Sequence, residues 1–301
     1  MKALITGVNG FVGPYLKKHL LENNIEVIGT DISSGNEVDS VSDLLDNERI
    51  MKLVENSKPD FIFHLAAQSS VKLSWQKPEL TRNVNVNGTR NLLDAVKKFV
   101  PESRVLVVSS ADIYGVPKEF PIKEGNKLNP VSPYGESRLE QEKLALGYGL
   151  NVIISRSFSH TGPGQSPVFV CSDFAKQIAE IEKGKEPVIK VGNLNVKRDF
   201  TDVRDIIRAY LMCLKKCDIG EAYNICSGRV YSIREILDIL LKFTDKDIKI
   251  KEDKGKKRKK DILVMDADNS KFVSKTGWKA EIPFEETLKG LLDYWRGELN
   301  I

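Results

Sequence analysis

The 301-residue chain carries 46 lysines and arginines against 42 aspartates and glutamates, a net charge of +4 that is too small to argue for a nucleic-acid partner. Apolar residues make up 41% and charged residues 29%, ordinary proportions for a folded domain in water. No apolar run approaches the length of a membrane span.

Residues 2–6 read as a short apolar strand that runs directly into Gly7-Val-Asn-Gly10-Phe-Val-Gly13. Residues 15–22 then repeat apolar side chains at helical spacing, and residues 26–30 form a second strand ending on Asp31. Strand, glycine turn, helix, strand, acid is the order a dinucleotide site requires. Glycine lets the backbone turn tightly and approach a pyrophosphate. A helix N-terminus offers free N–H groups and partial positive charge to the phosphates. An acid at position 31 accepts from the hydroxyls of the adenosine ribose and repels a 2′-phosphate. No arginine follows in Ile-Ser-Ser-Gly-Asn to offset it, so NAD is expected, with NADP as the second option.

The alternation continues. The patterns predict a helix over residues 49–57, a buried strand over 60–66, a helix over 78–99, a buried strand over 104–109, a helix over 132–147 and a strand over 151–155. This rhythm predicts an α/β fold with a doubly wound parallel Rossmann sheet. After Arg156 it loosens, with glycine and proline at Gly162-Pro-Gly164 and Pro167 and one clear helix over 170–183. The expected division is a dinucleotide-binding domain over 1–160 and a smaller α/β substrate lobe over 161–301, with some chain crossing between them.

The four cysteines, Cys171, Cys213, Cys217 and Cys226, form no C-x-x-C pair and have only three histidines as companions. That argues against a metal site and for free thiols in a reducing compartment. A strand opening at residue 2 leaves no room for a secretory leader, so a cytoplasmic protein is expected. The run Lys254-Gly-Lys-Lys-Arg-Lys-Lys260 reads as a solvated loop, or as a phosphate contact by Arg258.

Two features carry chemistry. Ser109-Ser110-Ala-Asp112 follows the strand at 104–109, and ligands of open α/β sheets lie at the carboxyl ends of strands. Tyr134-Gly-Glu-Ser-Arg138 lies on the next helix, where residues four apart share a face. A fixed positive charge beside a phenol stabilises the phenolate, and such a tyrosine can pass a proton to or from a substrate oxygen.

These segments, with His64-Leu-Ala-Ala67, Asn85-Val-Asn-Gly-Thr89 and Arg198-Asp-Phe-Thr-Asp-Val203, resemble the extended short-chain dehydrogenases/reductases of the nucleotide-sugar branch over nearly the whole chain. Within that branch, Arg156-Ser-Phe-Ser-His-Thr-Gly-Pro-Gly-Gln165, Phe169-Val170 and Phe174-Ala-Lys-Gln-Ile178 are most similar to the GDP-4-keto-6-deoxy-mannose reductases. The resemblance implies that Gly7, Gly10, Phe11, Val12 and Gly13 hold the pyrophosphate of the cofactor. By the same resemblance Asp31 and Ile32 take the adenosine end, Asp43 and Leu44 flank adenine, and Leu65, Ala66 and Ala67 pass under the cofactor. Asn85 matches a helix asparagine near the active centre, and Ser110 and Tyr134 match the catalytic hydroxyls. Arg198 and Arg258 match arginines of the sugar-nucleotide diphosphate, and His160 falls on the substrate side. Arg258-Lys-Lys-Asp261 keeps the family's arginine-proline-x-acid pattern only in part.

Three further positions depart from the family. Arg138 stands where the family has lysine. In Ser110-Ala111-Asp112, alanine replaces a hydroxyl used by the dehydratases, and Asp112 replaces their glutamate, one methylene shorter. The resemblance therefore implies an NAD(P)H-dependent reductase of a nucleotide-linked 4-keto-6-deoxy sugar, working as a homodimer through helices at about 78–99 and 134–147. A 4-epimerase or 4,6-dehydratase with tightly held NAD is the alternative within the family. A non-catalytic dinucleotide-binding protein is the alternative outside it.

Overall fold

The computed structural model describes residues 1–256 and 262–301. Residue 258, the second expected diphosphate arginine, lies outside the described residues, as does most of the basic run.

The strands are β1 (Lys2–Thr6), β2 (Glu26–Asp31), β3 (Ser40–Val41), β4 (Phe61–His64), β5 (Arg104–Ser110), β6 (Val152–Ser157), β7 (Ser159–Thr161), β8 (Val188–Val191), β9 (Lys197–Asp202), β10 (Ala222–Ile225), β11 (Val230–Ser232), β12 (Lys249–Glu252) and β13 (Val264–Met265). The helices are α1 (Gly13–Glu22), α2 (Asn47–Ser57), α3 (Val71–Gln76), α4 (Pro78–Arg82), α5 (Gly88–Phe99), α6 (Pro133–Leu146), α7 (Val170–Glu182), α8 (Val203–Lys216), α9 (Ile233–Leu241), α10 (Ser270–Thr276) and α11 (Phe284–Glu298).

Seven parallel strands form the large sheet in the order β10-β6-β5-β4-β1-β2-β3. Along its central strands, side chains alternate between two cores, as period-2 geometry requires of a sheet covered on both faces. Ala3, Ile5, Phe63, Leu106 and Ile153 pack with α1 and α8. Leu4, Ile62, Val105, Val107 and Ile154 pack with α2 and α5 on the other face. The strand order reverses at β1 and β4, which opens a crevice at their carboxyl ends.

Residues beyond 160 do two things. The strand β10 and the helices α8 and α10 return to the large sheet, where Ile206, Tyr210, Tyr223, Phe272 and Trp278 join the α1-side core. The helices α7, α9 and α11 pack with β8 and β9 around a second core that includes Phe174, Ile178, Ile236, Leu240, Leu288 and Leu291. In this lobe β9 pairs with β11, β13 and β7.

One expected element differs. The helix over 78–99 is interrupted by a π-helical turn at Asn83–Asn87, which joins α4 to α5. One extra residue in that turn sets Asn85 fully inside, where its side chain bonds two other segments, and such turns frequently mark functional positions. Arg198 lies within the strand β9, one strand length before α8 opens at Val203 under an Asp202 cap. All four cysteines are free and buried. Among the described residues, no helix is long and apolar enough to cross a membrane.

Candidate active site

The glycine turn is fixed by close approach. Gly7 has φ +76°, and a Cβ there would lie 2.7 Å from the Ala66 backbone, where the chain leaves β4. A Cβ on Gly13 would lie 2.1 Å from the Val8 carbonyl oxygen. Neither position admits a side chain, so β1, the turn and α1 are pressed together with backbone exposed at the crevice. The turn closes through Gly10 N–H to the Gly7 carbonyl at 3.0 Å, and α1 starts at once with Pro14 in its first turn. Phe11 stacks on His160 with ring centroids 6.2 Å apart and planes within 6°. Val12, before α1, packs against the α1-side core.

Beside the turn, Asp31 ends β2. Its Oδ2 accepts the Asn9 backbone N–H at 3.0 Å and its Oδ1 the Ile32 N–H at 2.8 Å, so the carboxylate is held at the rim of the crevice. Ile32 is 67% exposed, an apolar surface next to the acid. Asp43 turns back to the Leu45 N–H at 2.9 Å, and Leu44 is buried against Gly88 at the start of α5. Leu65, Ala66 and Gln68 follow β4; Ala66 donates to Thr6 Oγ1 at 3.3 Å. Asn85 pins this segment, accepting the Gln68 N–H at 2.8 Å and donating to Ser137 Oγ on α6 at 2.9 Å.

On α6, Tyr134 and Arg138 are both buried. Arg138 Nε donates to Tyr134 Oη at 3.2 Å. Its Nη1 donates to the Val108 carbonyl of β5 at 3.0 Å and to Gln141 Oε1 at 2.9 Å. Because the phenol oxygen accepts from Arg138, its own proton remains to be given elsewhere. The turn carrying Ser110 lies against the start of the same helix, where a Cβ on Gly135 would come within 2.8 Å of the Asp112 carbonyl oxygen. Ser110 Oγ accepts the Asp112 N–H at 3.2 Å and donates to Asp112 Oδ2 at 3.1 Å. The neighbouring Ser109 hydroxyl is buried with no partner among the described residues.

Two supporting groups escape a reading by motif. Gln141 Nε2 donates to Thr89 Oγ1 at 2.8 Å, and Thr89 meets His64 Nε2 at 2.8 Å. His64 Nδ1 meets Thr6 Oγ1 at 2.8 Å. Burial, with the Arg138 charge adding to it, pushes the His64 pKa down to about 3, so this imidazole is neutral. Behind the Ser110 turn, Arg156 and Glu142 form a buried ion pair at 3.0 Å. Gln141 could have been found by its i,i+3 spacing from Arg138; Glu142 and Arg156 meet only through the fold.

On the substrate side, Arg198 pairs in register with Tyr231, and its Nη1 donates to the Lys197 carbonyl at 2.8 Å. Asp199 accepts the Ser227 and Arg229 N–H groups at 2.8 and 3.0 Å, and burial raises its pKa to about 6. Asp202 takes Arg204 Nη2 at 2.8 Å and the Thr287 hydroxyl at 2.7 Å. His160 is half-buried, with Nδ1 on the Phe158 carbonyl at 3.0 Å, and burial lowers its pKa.

A cradle without side chains at a helix N-terminus, a rim carboxylate and an orphaned buried hydroxyl fit a dinucleotide. With a Tyr-x-x-x-Arg pair beside a strand-end serine on a doubly wound sheet, they define an enzyme of the extended short-chain dehydrogenase/reductase class. The profile of the GDP-mannose 4,6 dehydratase family matches residues 4–291, and the chain belongs to that family. It is 32% identical over 306 residues to GDP-6-deoxy-D-mannose reductase of Pseudomonas aeruginosa, covering 99% of this chain and 98% of that one. It is 28% identical over 336 residues to GDP-mannose 4,6 dehydratase of Homo sapiens, covering 96% and 90%. Among solved structures, RMD from Pseudomonas aeruginosa complexed with NADPH has a TM-score of 0.91 at 32% identity, over 99% of each chain. UDP-glucose 4-epimerase of Thermotoga maritima with UDP-glucose has a TM-score of 0.89 at 30% identity, over 99% of this chain and 100% of that one.

Proposed function

We propose that this enzyme reduces a nucleotide-linked 4-keto-6-deoxy sugar, GDP-4-keto-6-deoxy-mannose by preference, to the GDP-6-deoxy-hexose. The observation that carries the reading is the hydrogen-bond pattern at Ser110, Tyr134 and Arg138. A reduced nicotinamide held in the crevice would supply the hydride for C4 and be left oxidised. Tyr134, which accepts from Arg138 and so has its own proton to give, protonates the oxygen formed there. Ser110 turns its proton from Asp112 to the same oxygen. Arg138 keeps positive charge beside the phenol. Dehydration needs an acid to expel the C6 hydroxyl and a base for the C5 proton. Ala111 has no proton to donate, and Asp112 carries its carboxylate one methylene shorter than the dehydratases' glutamate. Offered GDP-, dTDP- and UDP-linked 4-keto-6-deoxy sugars with NADH, the enzyme is expected to turn over the GDP compound fastest; a preference for another base would overturn that part of the reading.

The cofactor is held by Gly7, Gly10, Phe11, Val12 and Gly13 at the phosphates and by Asp31 and Ile32 at the adenosine. The backbone at Asp43, Leu44, Leu65, Ala66 and Ala67, with Asn85 behind it, completes its bed. The carboxylate of Asp31 favours NADH over NADPH, and calorimetry is expected to give the lower Kd for NADH; equal or tighter NADPH binding would contradict it. Residues 1–160 supply the cofactor half and 161–301 the substrate half, with α8, β10 and α10 crossing back to the large sheet.

Arg198 holds the diphosphate, with Arg258 the second arginine that the family pattern implies and His160 a further substrate contact. A planar guanidinium meets a phosphate with two parallel bonds. Arg198→Ala is expected to raise KM for the sugar nucleotide roughly 10- to 100-fold, the loss of one charge-assisted contact, and to leave cofactor affinity alone. An unchanged KM would assign Arg198 to structure. The enzyme works in the cytoplasm as a homodimer packed through α4, α5 and α6, which sedimentation would test.

A further inference from the structure

We infer that Gln141 is a positioning residue that makes arginine work at position 138, in place of the lysine expected there. The inference rests on the reductase reading above for its kinetic part and on geometry for the rest. A lysine ammonium is a point charge whose three donors rotate to suit their surroundings. An arginine fork is planar and must be aimed. Only one of its edges, Nε–H, faces Tyr134 here, at 3.2 Å. The fork is held in that attitude by two acceptors on Nη1, the Val108 carbonyl of β5 at 3.0 Å and Gln141 Oε1 at 2.9 Å.

The Gln141 amide cannot flip. A guanidinium only donates, so Oε1 must face Arg138 and Nε2 must face Thr89, which it reaches at 2.8 Å. Thr89 spends its own proton on the Asn85 carbonyl at 2.7 Å. It therefore accepts from His64 Nε2, and the neutral imidazole carries its proton on that nitrogen. Nδ1 then accepts from Thr6, whose oxygen in turn accepts the Ala66 N–H beside the glycine turn. One connected network thus runs from Tyr134 through Arg138, Gln141, Thr89, His64 and Thr6 to the wall of the cofactor crevice, with donors converging on Thr89 from Gln141 on one side and His64 on the other. Every member is buried except the half-buried Ala66 at its end. The guanidinium, which has no acceptor to offer, holds the Gln141 amide one way round, and the Asn85 carbonyl holds Thr89 as an acceptor toward His64.

The test is a double-mutant cycle between Gln141→Leu and Arg138→Lys. Alone, Gln141→Leu is expected to lower kcat roughly 10- to 100-fold, the scale of misaiming a group by about an ångström, with KM for the sugar nucleotide unchanged. The activity of Arg138→Lys alone is the reference for its background, where the ammonium needs no aiming. In the Arg138→Lys background, Gln141→Leu should cost under about twofold. Equal losses in the two backgrounds would show Gln141 to be structural packing and overturn the inference. A second readout needs no turnover. The Arg138 Nε–H resonance of 15N-arginine-labelled protein, identified by its loss in Arg138→Lys, should exchange slowly in the parent enzyme and at least tenfold faster in Gln141→Leu. Unchanged exchange would also overturn the inference. If the parent enzyme reduced no keto sugar while its Arg138 resonance behaved as described, the reductase reading would fall and the Gln141 assignment would stand.

Discussion

Tyr134→Phe is expected to lower kcat by about 10²–10⁴-fold, the range typical of losing a general acid, while cofactor affinity stays as it was. The substitution removes one oxygen and keeps the ring. Arg138, whose guanidinium lies 5.3 Å from the ring centroid, retains that face and its bonds to Val108 and Gln141. The cofactor cradle at Gly7 and Gly13 is built by other elements, so calorimetric titration should return the parent Kd. Steady-state kinetics on a 4-keto nucleotide sugar gives kcat. A value within threefold of the parent enzyme would move the proton donor elsewhere, with Ser110 the next candidate.

Glu142→Ala is expected to destabilise the folded enzyme by about 3–5 kcal/mol, the cost of leaving one partner of a buried ion pair alone. The Glu142 side chain is 3% exposed and that of Arg156 8%. Arg156 also donates to the Tyr114 hydroxyl at 3.1 Å and the Glu124 carbonyl at 2.8 Å. Tyr114, whose pKa burial pushes up to about 12, stays neutral and donates to Asn224 of β10 at 2.6 Å. Without Glu142 the guanidinium loses the carboxylate with which it is paired. Since Tyr114 closes the turn that begins after Ser110, the loss should also loosen the substrate face of the site. Urea denaturation reads the stability, and Glu142→Gln, which keeps an acceptor, should lose less. A loss below about 1 kcal/mol for Glu142→Ala would mean that water reaches Arg156 and screens it.

The parts of the site that lie close together in the chain are legible in the amino-acid sequence. Gly7, Gly10, Gly13 and Asp31 fall within one strand-turn-helix-strand unit, where spacing alone dictates geometry. Tyr134 and Arg138 sit one helical turn apart and are joined by a hydrogen bond. Spacing says less where contact depends on elements far apart in the chain. The π-helical turn at Asn83–Asn87 leaves the apolar period of 78–99 intact, so periodicity does not reveal it. Its cause is Asn85, which bonds Gln68 and Ser137, 17 and 52 residues away. The pairing of β9 is set by three other segments, β7, β11 and β13, and no pattern within residues 197–202 shows it. Gln141 can be placed on the face of Arg138, but the partner of its Nε2, Thr89, belongs to α5 and lies 52 residues away.

The central claim is that the chemistry is reduction. The most direct measurement gives the purified enzyme GDP-mannose alone and, separately, the 4-keto-6-deoxy product with NADH, following absorbance of the nicotinamide and the sugar by mass. Consumption of NADH with the keto sugar, and no change in GDP-mannose, is the predicted result. Loss of water from GDP-mannose without added reductant would contradict the account and make the enzyme a dehydratase.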